Sequence, residues 1–253
     1  LYTHCMKLSL LLLLLTIHFL IQCSTAEKIN VNTEKGAYEQ AKDLQNDERF
    51  EEAIAGFQEV RNKFPYSHFV KKSEISIAEI YFQREDFLEA QHAYQLYKDL
   101  HPKDKIIDAV TYQLALSIFK QLPDSIDRDL SLAHEAILYF EEVIDSHPTS
   151  KYVKNSKQYR IDCFKKLTQK EYYVAQYYYK QKKFLSALGR YENIVNKYSI
   201  YGYNPRALKG AILSSMKINQ KERAKKHFKT LLSTHSKTSE ASEIKEEFYN
   251  ELK

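Results

Sequence analysis

The chain has 253 residues and a formal net charge of +5, and it contains only five glycines and five prolines. Few helix breakers, together with many Glu, Lys, Leu, Ala and Gln residues, favour long helices over sheets. Positive and negative residues are interleaved, which is typical of solvated helix faces and argues against a nucleic-acid-binding surface. The mild basic excess still favours an anionic membrane surface or an acidic partner.

The amino-terminal segment has the pattern of a secretory signal. Met6 and Lys7 precede an apolar run of about 14 residues, LSLLLLLLTIHFLI, which is too short to span a bilayer as a helix. We therefore interpret residues 1–22 as a signal peptide. Residues 1–5 precede the only plausible initiator, so we interpret them as an over-extended gene model or a non-AUG start.

Cys23 stands at the end of this apolar run and resembles the lipidated cysteine of a bacterial lipoprotein signal. The resemblance implies that Cys23 becomes the first residue of the mature chain, that it carries lipid, and that residues 23–33 are a linker. Ser24 is not the Asp that retains enteric lipoproteins at the inner membrane, so the resemblance points to the outer membrane. The alternative is an ordinary secretory signal that is cleaved nearby, with Cys23 as a bystander.

A small residue followed four positions later by an aromatic residue recurs five times along the chain. The pairs are Ala53/Phe57, Ala90/Tyr94, Ala136/Phe140, Ala187/Tyr191 and Ala224/Phe228. An aliphatic or aromatic residue follows seven positions after each alanine, and in the first three repeats a proline follows after twelve. This is the pattern of the tetratricopeptide repeat, whose basic period is about 34 residues. We predict an all-α fold, a tetratricopeptide-repeat superhelix of five helical hairpins over residues 34–236.

The same periodicity predicts the individual helices. The pairs are 34–46 and 50–64, 70–83 and 87–101, 106–121 and 130–147, 151–181 and 184–198, and 204–218 and 221–235. Ser67, Asp104, Asp129, Ser150 and Asn204 stand at helix starts as possible caps. Residues 237–253 contain a further helical patch, which we interpret as a capping helix or a frayed tail.

Catalytic and metal-binding motifs are not found in the sequence. There is no HExxH, no GxSxG and no glycine-rich phosphate loop. His101 and His147 precede Pro102 and Pro148, where they mark helix ends, and Cys163 lies in a helical pattern as a small buried hydrophobe. We predict a non-enzyme without catalytic residues, metal or cofactor; the rival class is an envelope enzyme with a site grafted onto the repeats.

First helices line the inner groove of a stack of such hairpins. The register assigns three sets to this groove: Tyr38, Lys42 and Gln45; Ile75, Glu79 and Phe82; Tyr172, Gln176 and Tyr179. An exposed aromatic residue in a groove can hold a peptide. The alternative is that these aromatic residues pack between neighbouring repeats.

Four stretches resemble the BamD family (also called YfiO or ComL), the lipoproteins of the outer-membrane β-barrel assembly machinery. They are residues 37–69, residues 107–119 with the loop Asp127-Arg128-Asp129, the HPTSKY junction at 147–152, and KEYYVAQYYYKQKKFLSALGRYENIVNKY at 170–198. The resemblance extends over about residues 33–236. The chain departs from the family in the first and fourth hairpin turns, where the usual glycine is absent.

The family resemblance implies a non-enzymatic scaffold that is lipid-anchored at the periplasmic face of the outer membrane. Its N-terminal repeats would receive unfolded outer-membrane proteins, with Tyr38, Ile75 and Phe82 in the groove. Its C-terminal repeats would dock, through Arg190 and Glu192, on the periplasmic domains of the barrel insertase subunit, a BamA-like protein. Other lipoproteins of the machinery are implied as further partners. The alternatives are that Arg190 pairs with Glu192 or solvent, and that the protein is a repeat adaptor for peptidoglycan enzymes.

Overall fold

The computed structural model describes residues 30–252, in which there are eleven helices and no strand. The helices are α1 (Glu34–Asn46), α2 (Phe50–Lys63), α3 (Phe69–Gln83), α4 (Phe87–Leu100), α5 (Ile107–Lys120), α6 (Ser131–Ser146), α7 (Val153–Lys180), α8 (Phe184–Lys197), α9 (Asn204–Lys217), α10 (Lys221–His235) and α11 (Ser239–Leu252). The first ten form five hairpins, so the predicted all-α tetratricopeptide-repeat fold is confirmed. The predicted signal peptide and Cys23 lie outside the described residues.

The position of each residue in the repeat explains which face of the second helix is buried in each hairpin. The alanine that recurs in each second helix, called here the register alanine, is fully buried in all five repeats, and the aromatic residue four positions later is at most 4% exposed. The residue seven positions after each alanine is at most 2% exposed. These three positions share one face of a helix, because residues at i, i+4 and i+7 do so. The small side chain lets the helices of a hairpin approach closely, and the two larger ones fill the core.

The chain divides into two compact units, residues up to Val70 and residues from Lys71 onward. In the first unit α1 packs against α2 so closely that a Cβ added at Gly56 would lie 2.9 Å from the Ala41 Cβ. Ala37, Val60 and Phe69 form one cluster of buried residues in this unit, and Ala41, Ala53 and Phe57 are also fully buried. Thr33 caps α1, since its hydroxyl accepts a hydrogen bond of 3.1 Å from the Gly36 N–H.

In the second unit the unusually long helix α7 belongs to two successive core clusters. Its first half contributes Cys163 and Leu167 to a cluster that extends back to α3. Its second half contributes Ala175 to a cluster with α8 and α9. Burial raises the pKa of the Cys163 thiol to about 12, so this thiol stays protonated at neutral pH. The 28 residues of α7 therefore link repeat three to repeat five.

The last helix, α11, covers the end of the fifth hairpin. Its buried residues Ala241, Ile244 and Leu252 pack in one cluster with side chains of α9 and α10. Two ion pairs fix it laterally, Arg206 to Glu240 at 3.5 Å and Lys209 to Glu243. Residues 239–252 thus bury an apolar face of the terminal hairpin.

Four of the five predicted helix starts are marked by side-chain hydrogen bonds. Ser67, Asp104, Asp129 and Ser150 each accept a hydrogen bond from the backbone N–H two residues later, at 3.1, 3.3, 3.2 and 3.2 Å. They shape the turn that precedes each helix. Asn204 is not a cap: it is the first residue of α9, and its side-chain amide donates to His235 Nε2 at 2.8 Å.

The tight turns inside hairpins one, two, four and five share one unusual backbone conformation. Each has a single residue in the left-handed region, and none of these residues is glycine: Glu48, Glu85, Lys182 and Asn219, with φ of 59°, 63°, 57° and 59°. In each turn this residue and the next donate backbone hydrogen bonds back to the preceding helix, the pattern of a Schellman motif. Side chains with a Cβ are disfavoured in this region by about 1–2 kcal/mol.

We expect Lys182→Gly to raise the free energy of unfolding by about 0.5–1 kcal/mol, since glycine removes the left-handed strain but gains entropy in the unfolded chain. Gln181→Gly is the matched control, because Gln181 has φ −78° and gains nothing from glycine. It should lower the stability by about 0.5–1 kcal/mol. The shift of the urea midpoint measures both, and shifts of the same sign would contradict the assignment.

Candidate functional site

The loop that carries Asp127, Arg128 and Asp129 connects α5 to α6 and is held in place by two lysines of α7. Lys166 Nζ donates a hydrogen bond of 3.0 Å to the Pro123 carbonyl, and Lys170 Nζ donates to the Arg128 carbonyl. Both contacts reach the backbone of the loop, so they fix its course without using its side chains. Asp127, Arg128 and Asp129 themselves are exposed.

The two loop carboxylates are held as anions by short-range hydrogen bonds. The Ser125 hydroxyl donates to Asp127, and this bond is the main reason why the pKa of Asp127 is lowered. Ser131 donates to Asp129 through its hydroxyl at 2.5 Å and its backbone N–H at 3.2 Å. These bonds, with a smaller effect of the nearby Lys170 ammonium, lower the pKa of Asp129. The loop therefore presents two fixed negative charges at neutral pH.

Arg190 pairs with a carboxylate that the sequence did not single out. Its Nη1 donates to both oxygens of Glu171, at 2.9 and 3.2 Å, across the fourth hairpin. The Arg190 side chain remains 45% exposed, and that of Glu171 is 20% exposed. Antiparallel pairing of α7 with α8 about the turn at Gln181 brings these positions together. The predicted hairpin was therefore the feature of the sequence from which this pair could have been identified.

The loop and Arg190 are each held by one of two neighbouring residues of α7. Lys170 holds the loop carbonyl and Glu171, the next residue, holds Arg190. A cavity of about 310 Å³ lies beside them, lined by Asp129, Ser131, His134, Lys170, Glu171 and Tyr198. The structure therefore brings two of the candidate sites near each other through Lys170 and Glu171 of α7.

Glu192 lies on another side of α8 and is engaged within the chain. Arg223 Nε donates to Glu192 Oε1 at 2.7 Å, and His227 Nε2 donates to the same oxygen at 2.8 Å. Burial alone would raise the pKa of Glu192, but the hydrogen bonds from Arg223 and His227 outweigh it and hold the pKa below its ordinary value. Residues two positions apart on a helix are about 200° apart around its axis. This separation explains why Arg190 does not pair with Glu192 and why the two do not face one surface.

The three groove candidates are all partly buried against neighbouring side chains. Tyr38, in the first unit, packs its ring against Phe57 and Phe69, with centroids 5.6 and 4.9 Å away. Ile75 and Phe82, in the second unit, lie two turns apart on α3 and pack against its main core cluster. Phe82 also meets the Phe87 ring edge-on at 5.4 Å. Each therefore has a packing role, and each keeps part of its surface exposed.

The remaining groove candidates of repeat four border a second cavity. Tyr172 and Gln176 line a space of about 300 Å³ together with Tyr191, Arg206, Lys209 and Glu240. Gly210 is required here, because a Cβ at this position would lie 2.4 Å from the Tyr191 ring. The two cations pair with carboxylates of α11, so this cavity is polar and internally neutralised. Arg206 and Lys209 could not be identified from the sequence, because their carboxylate partners lie on α11, a segment that the sequence left open between a capping helix and a frayed tail.

Residues 30–252 contain no cluster of three or more His, Cys, Asp or Glu side chains that could hold a metal. Within the same range, none of the helices combines the length and the apolar character that a membrane span requires.

Comparison with known proteins places these features in a family context. The sequence profile of the YfiO family, described as outer membrane lipoprotein, matches residues 30–231. The chain is 24% identical over 196 residues to the outer membrane protein assembly factor BamD of Neisseria meningitidis serogroup A, covering 74% of this chain and 73% of that protein. It is 26% identical over 189 residues to BamD of Rickettsia prowazekii, covering 74% of both chains.

Solved structures with a similar arrangement of helices are tetratricopeptide-repeat proteins. One is the TPR2AB domain of yeast Sti1 in complex with an Hsp90 peptide, with a TM-score of 0.42 and 10% identity over 84% of this chain and 81% of that one. Another is YrrB, described as a repeat protein with an unusual peptide-binding site, with a TM-score of 0.38 and 13% identity over 86% of this chain and 94% of that one.

We expect Glu192→Gln to lower the free energy of unfolding at pH 7 by about 1–2 kcal/mol, because it leaves Arg223 without its carboxylate. The folded pKa of Glu192 is lowered, so its contribution is present above the unfolded value of about 4.3 and is lost as the pH falls through the folded value. The difference between wild type and variant should therefore shrink in acid. Glu222→Gln, at an 88% exposed carboxylate, is the control and should change stability by less than about 0.5 kcal/mol. Urea unfolding at pH 7 and pH 3.5 measures both, and a difference that grows in acid would contradict the network.

Proposed function

This chain belongs to the YfiO family of outer membrane lipoproteins, and from that membership we propose that it acts in the assembly of outer-membrane proteins. The observation that carries the proposal is the family match over residues 30–231, which takes in all five hairpins but for the end of α10. The similar proteins from Neisseria and Rickettsia, named as assembly factors, support the assembly role over that of an adaptor for peptidoglycan enzymes.

The mechanism that we propose is non-enzymatic and depends on holding partners together. The chain is anchored at the periplasmic face of the outer membrane by lipid on Cys23, and its repeats present surfaces to several proteins at once. Stacked hairpins suit this role, because they expose a large surface relative to their length and each contacts only its neighbours. No cofactor is involved.

We assign the contact with the barrel insertase subunit to the outer side of hairpin four. Arg190 stands there at the edge of a shallow recess of about 440 Å³, lined by Tyr178, Leu185, Ser186, Gly189, Arg190 and Asn193. Leu185 is 62% exposed in this recess. An exposed leucine beside a guanidinium fits a partner surface that offers an apolar side chain next to a carboxylate.

Glu171 prepares Arg190 for such a partner. Its carboxylate receives hydrogen bonds from Nη1 of Arg190, so the guanidinium is oriented before binding. The planar fork has five N–H donors, so a second carboxylate can be bound without displacing the first. The adjoining loop of Asp127, Arg128 and Asp129, held by α7, extends this surface with further charges of both signs. Glu192 supports the surface indirectly by tying repeat four to repeat five.

We propose contacts with unfolded outer-membrane proteins in each unit separately, at Tyr38 in the first unit and at Ile75 and Phe82 in the second. Tyr38, Ile75 and Phe82 are partly exposed and apolar, and their packing holds each ring or side chain in one orientation. Apolar side chains that are already ordered lose little entropy when an extended peptide binds over them. Their packing role and their contact role are therefore compatible.

Arg190→Glu should abolish co-purification of the barrel insertase subunit from solubilised envelopes, because it places an anion where the partner presents a carboxylate. The matched control is Glu171→Gln, which removes the same internal ion pair and keeps the guanidinium; it should retain most of the complex. Circular dichroism should show unchanged helicity for both. Equal loss with the two variants would assign the effect to the internal pair, and unchanged recovery with Arg190→Glu would move the contact elsewhere.

Cys23→Ala should release the protein from the outer membrane into the soluble periplasmic fraction, since the acyl chains on this residue are its proposed anchor. Fractionation of cells that express the variant, with and without the insertase complex, measures the change. A variant that still fractionates with membranes in the absence of the complex would rule out lipid on Cys23 as the anchor.

A further inference from the structure

The second helices of consecutive hairpins lie side by side in a fixed register. Between α4 and α6 three contacts form a ladder: Gln91 to Glu135 at 3.2 Å, Gln95 to Tyr139 at 2.8 Å, and Lys98 to Glu142 at 2.6 Å. Helix α4 contributes Gln91, Gln95 and Lys98, which stand one, five and eight positions after Ala90. Helix α6 contributes Glu135, Tyr139 and Glu142, which stand one position before, three after and six after Ala136.

The same register recurs between α8 and α10. Glu192 stands five positions after Ala187, and it contacts Arg223 and His227, one before and three after Ala224. The lateral contact therefore recurs in two pairs of second helices, although the residue types differ. In both pairs the earlier helix presents the same edge to the hairpin that follows it.

The corresponding edge of α10 borders an open cleft. The positions one, five and eight after Ala224 are Lys225, Lys229 and Leu232. They line a cavity of about 590 Å³ together with Phe228, Tyr249 and Leu252. Helix α11 occupies the place of the next first helix, and no second helix follows it up to residue 252. The edge that α4 and α8 bury against a neighbour is thus left open at α10.

The chemistry of this cleft differs from that of the internal edges. Its floor is apolar, with Phe228 and Leu252 each 3% exposed and the Tyr249 ring 6.4 Å from that of Phe228. Its rim carries two ammonium groups; that of Lys225 lies 3.7 Å from Glu222, whose side chain is 88% exposed. Helix α10 has five cationic side chains (Lys221, Arg223, Lys225, Lys226 and Lys229) against one carboxylate. An apolar floor with a cationic rim complements an acidic amphipathic helix.

We infer that this cleft binds an acidic amphipathic α-helix of a partner protein, which lies along α10 as α6 lies along α4. By the register of α4 and α6, the bound helix presents one residue to Lys225, a second, four positions later, to Lys229, and a third, seven positions after the first, to Leu232. We therefore expect carboxylates at the first two of these positions and an aliphatic or aromatic side chain at the third. Lys98 and Glu142 already form such a cation–carboxylate contact inside the repeats. The inference does not depend on the proposed assembly role, since it rests on the repeat register alone.

The chain itself supplies a probe for this site. Residues 131–146, SLAHEAILYFEEVIDS, place Glu135, Tyr139 and Glu142 at the three positions opposite Lys225, Lys229 and Leu232, so Tyr139→Glu and Glu142→Leu give the required residues. We expect a side-chain-stapled, fluorescently labelled helix of this sequence with these two substitutions to bind the mature protein saturably in an anisotropy titration. A scrambled peptide of equal charge should not bind saturably.

Charge reversal then identifies the site. The double variant Lys225→Glu/Lys229→Glu should weaken binding by at least about tenfold, a change of about 1.4 kcal/mol. Lys221→Glu/Lys226→Glu, a change of equal charge outside the cleft on the same helix, should alter it by less than about twofold. A peptide with Glu135→Lys, Tyr139→Lys and Glu142→Leu should bind the first variant better than it binds the wild-type protein. Circular dichroism verifies that both variants remain helical.

Several results would overturn the inference. Absence of saturable binding by the stapled peptide would do so, and so would equal loss with the two double variants. Binding of the wild type to vesicles with an anionic phospholipid that is lost in Lys225→Glu/Lys229→Glu, without peptide binding, would assign the cleft to lipid. Concentration-dependent dimers that the same substitutions abolish would assign it to a second copy. Neither outcome bears on Arg190, so failure here and failure of the assembly role are distinguishable.

Discussion

The structure depends on one constraint: a helical hairpin has two apolar faces and can bury only one of them by itself. The second unit meets this constraint by sharing cores, so that each cluster takes side chains from consecutive hairpins. The register alanines make this sharing possible, since their small side chains let two helices and the next hairpin approach together. Charged residues on the remaining faces are then free to differ from repeat to repeat.

Helix α7 shows how this constraint brings charged residues of different repeats together. Because it belongs to the core of repeat three and to that of repeats four and five, it extends past the ordinary length of a first helix. Its solvent-facing residues therefore reach both the loop after α5 and the outer side of α8. Lys170 and Glu171 are neighbours in sequence, yet one fixes the loop and the other orients Arg190.

The helices could be predicted from the sequence, because the periodicity of apolar residues is a property of each helix alone. The spacing of Ala187, Tyr191 and Ile194 predicts one buried helix face, and all three residues are buried in the structure. Lateral contacts between helices have no such spacing, because they depend on how two helices are set against each other. For this reason the partners of Glu192, the contact of Asn204 with His235, and the cations near α11 could not be read from the sequence. The left-handed turns at Glu48, Glu85 and Lys182 were also hidden, since glycine, the residue that normally signals them, is absent.

Arg190 and Glu192 are close in sequence but have different surroundings in the structure. Both belong to α8, but a difference of two residues turns their side chains to nearly opposite sides of the helix. The side with Glu192 is engaged internally, because this edge of α4 and of α8 contacts the second helix of the following hairpin. The side with Arg190 contacts Glu171 of its own hairpin and stays partly exposed, which is why we propose it for a partner. The end of the array differs from its middle in the same way. The edge that is internal in α4 and α8 is left open in α10, where Lys225, Lys229 and Leu232 meet no further hairpin up to residue 252.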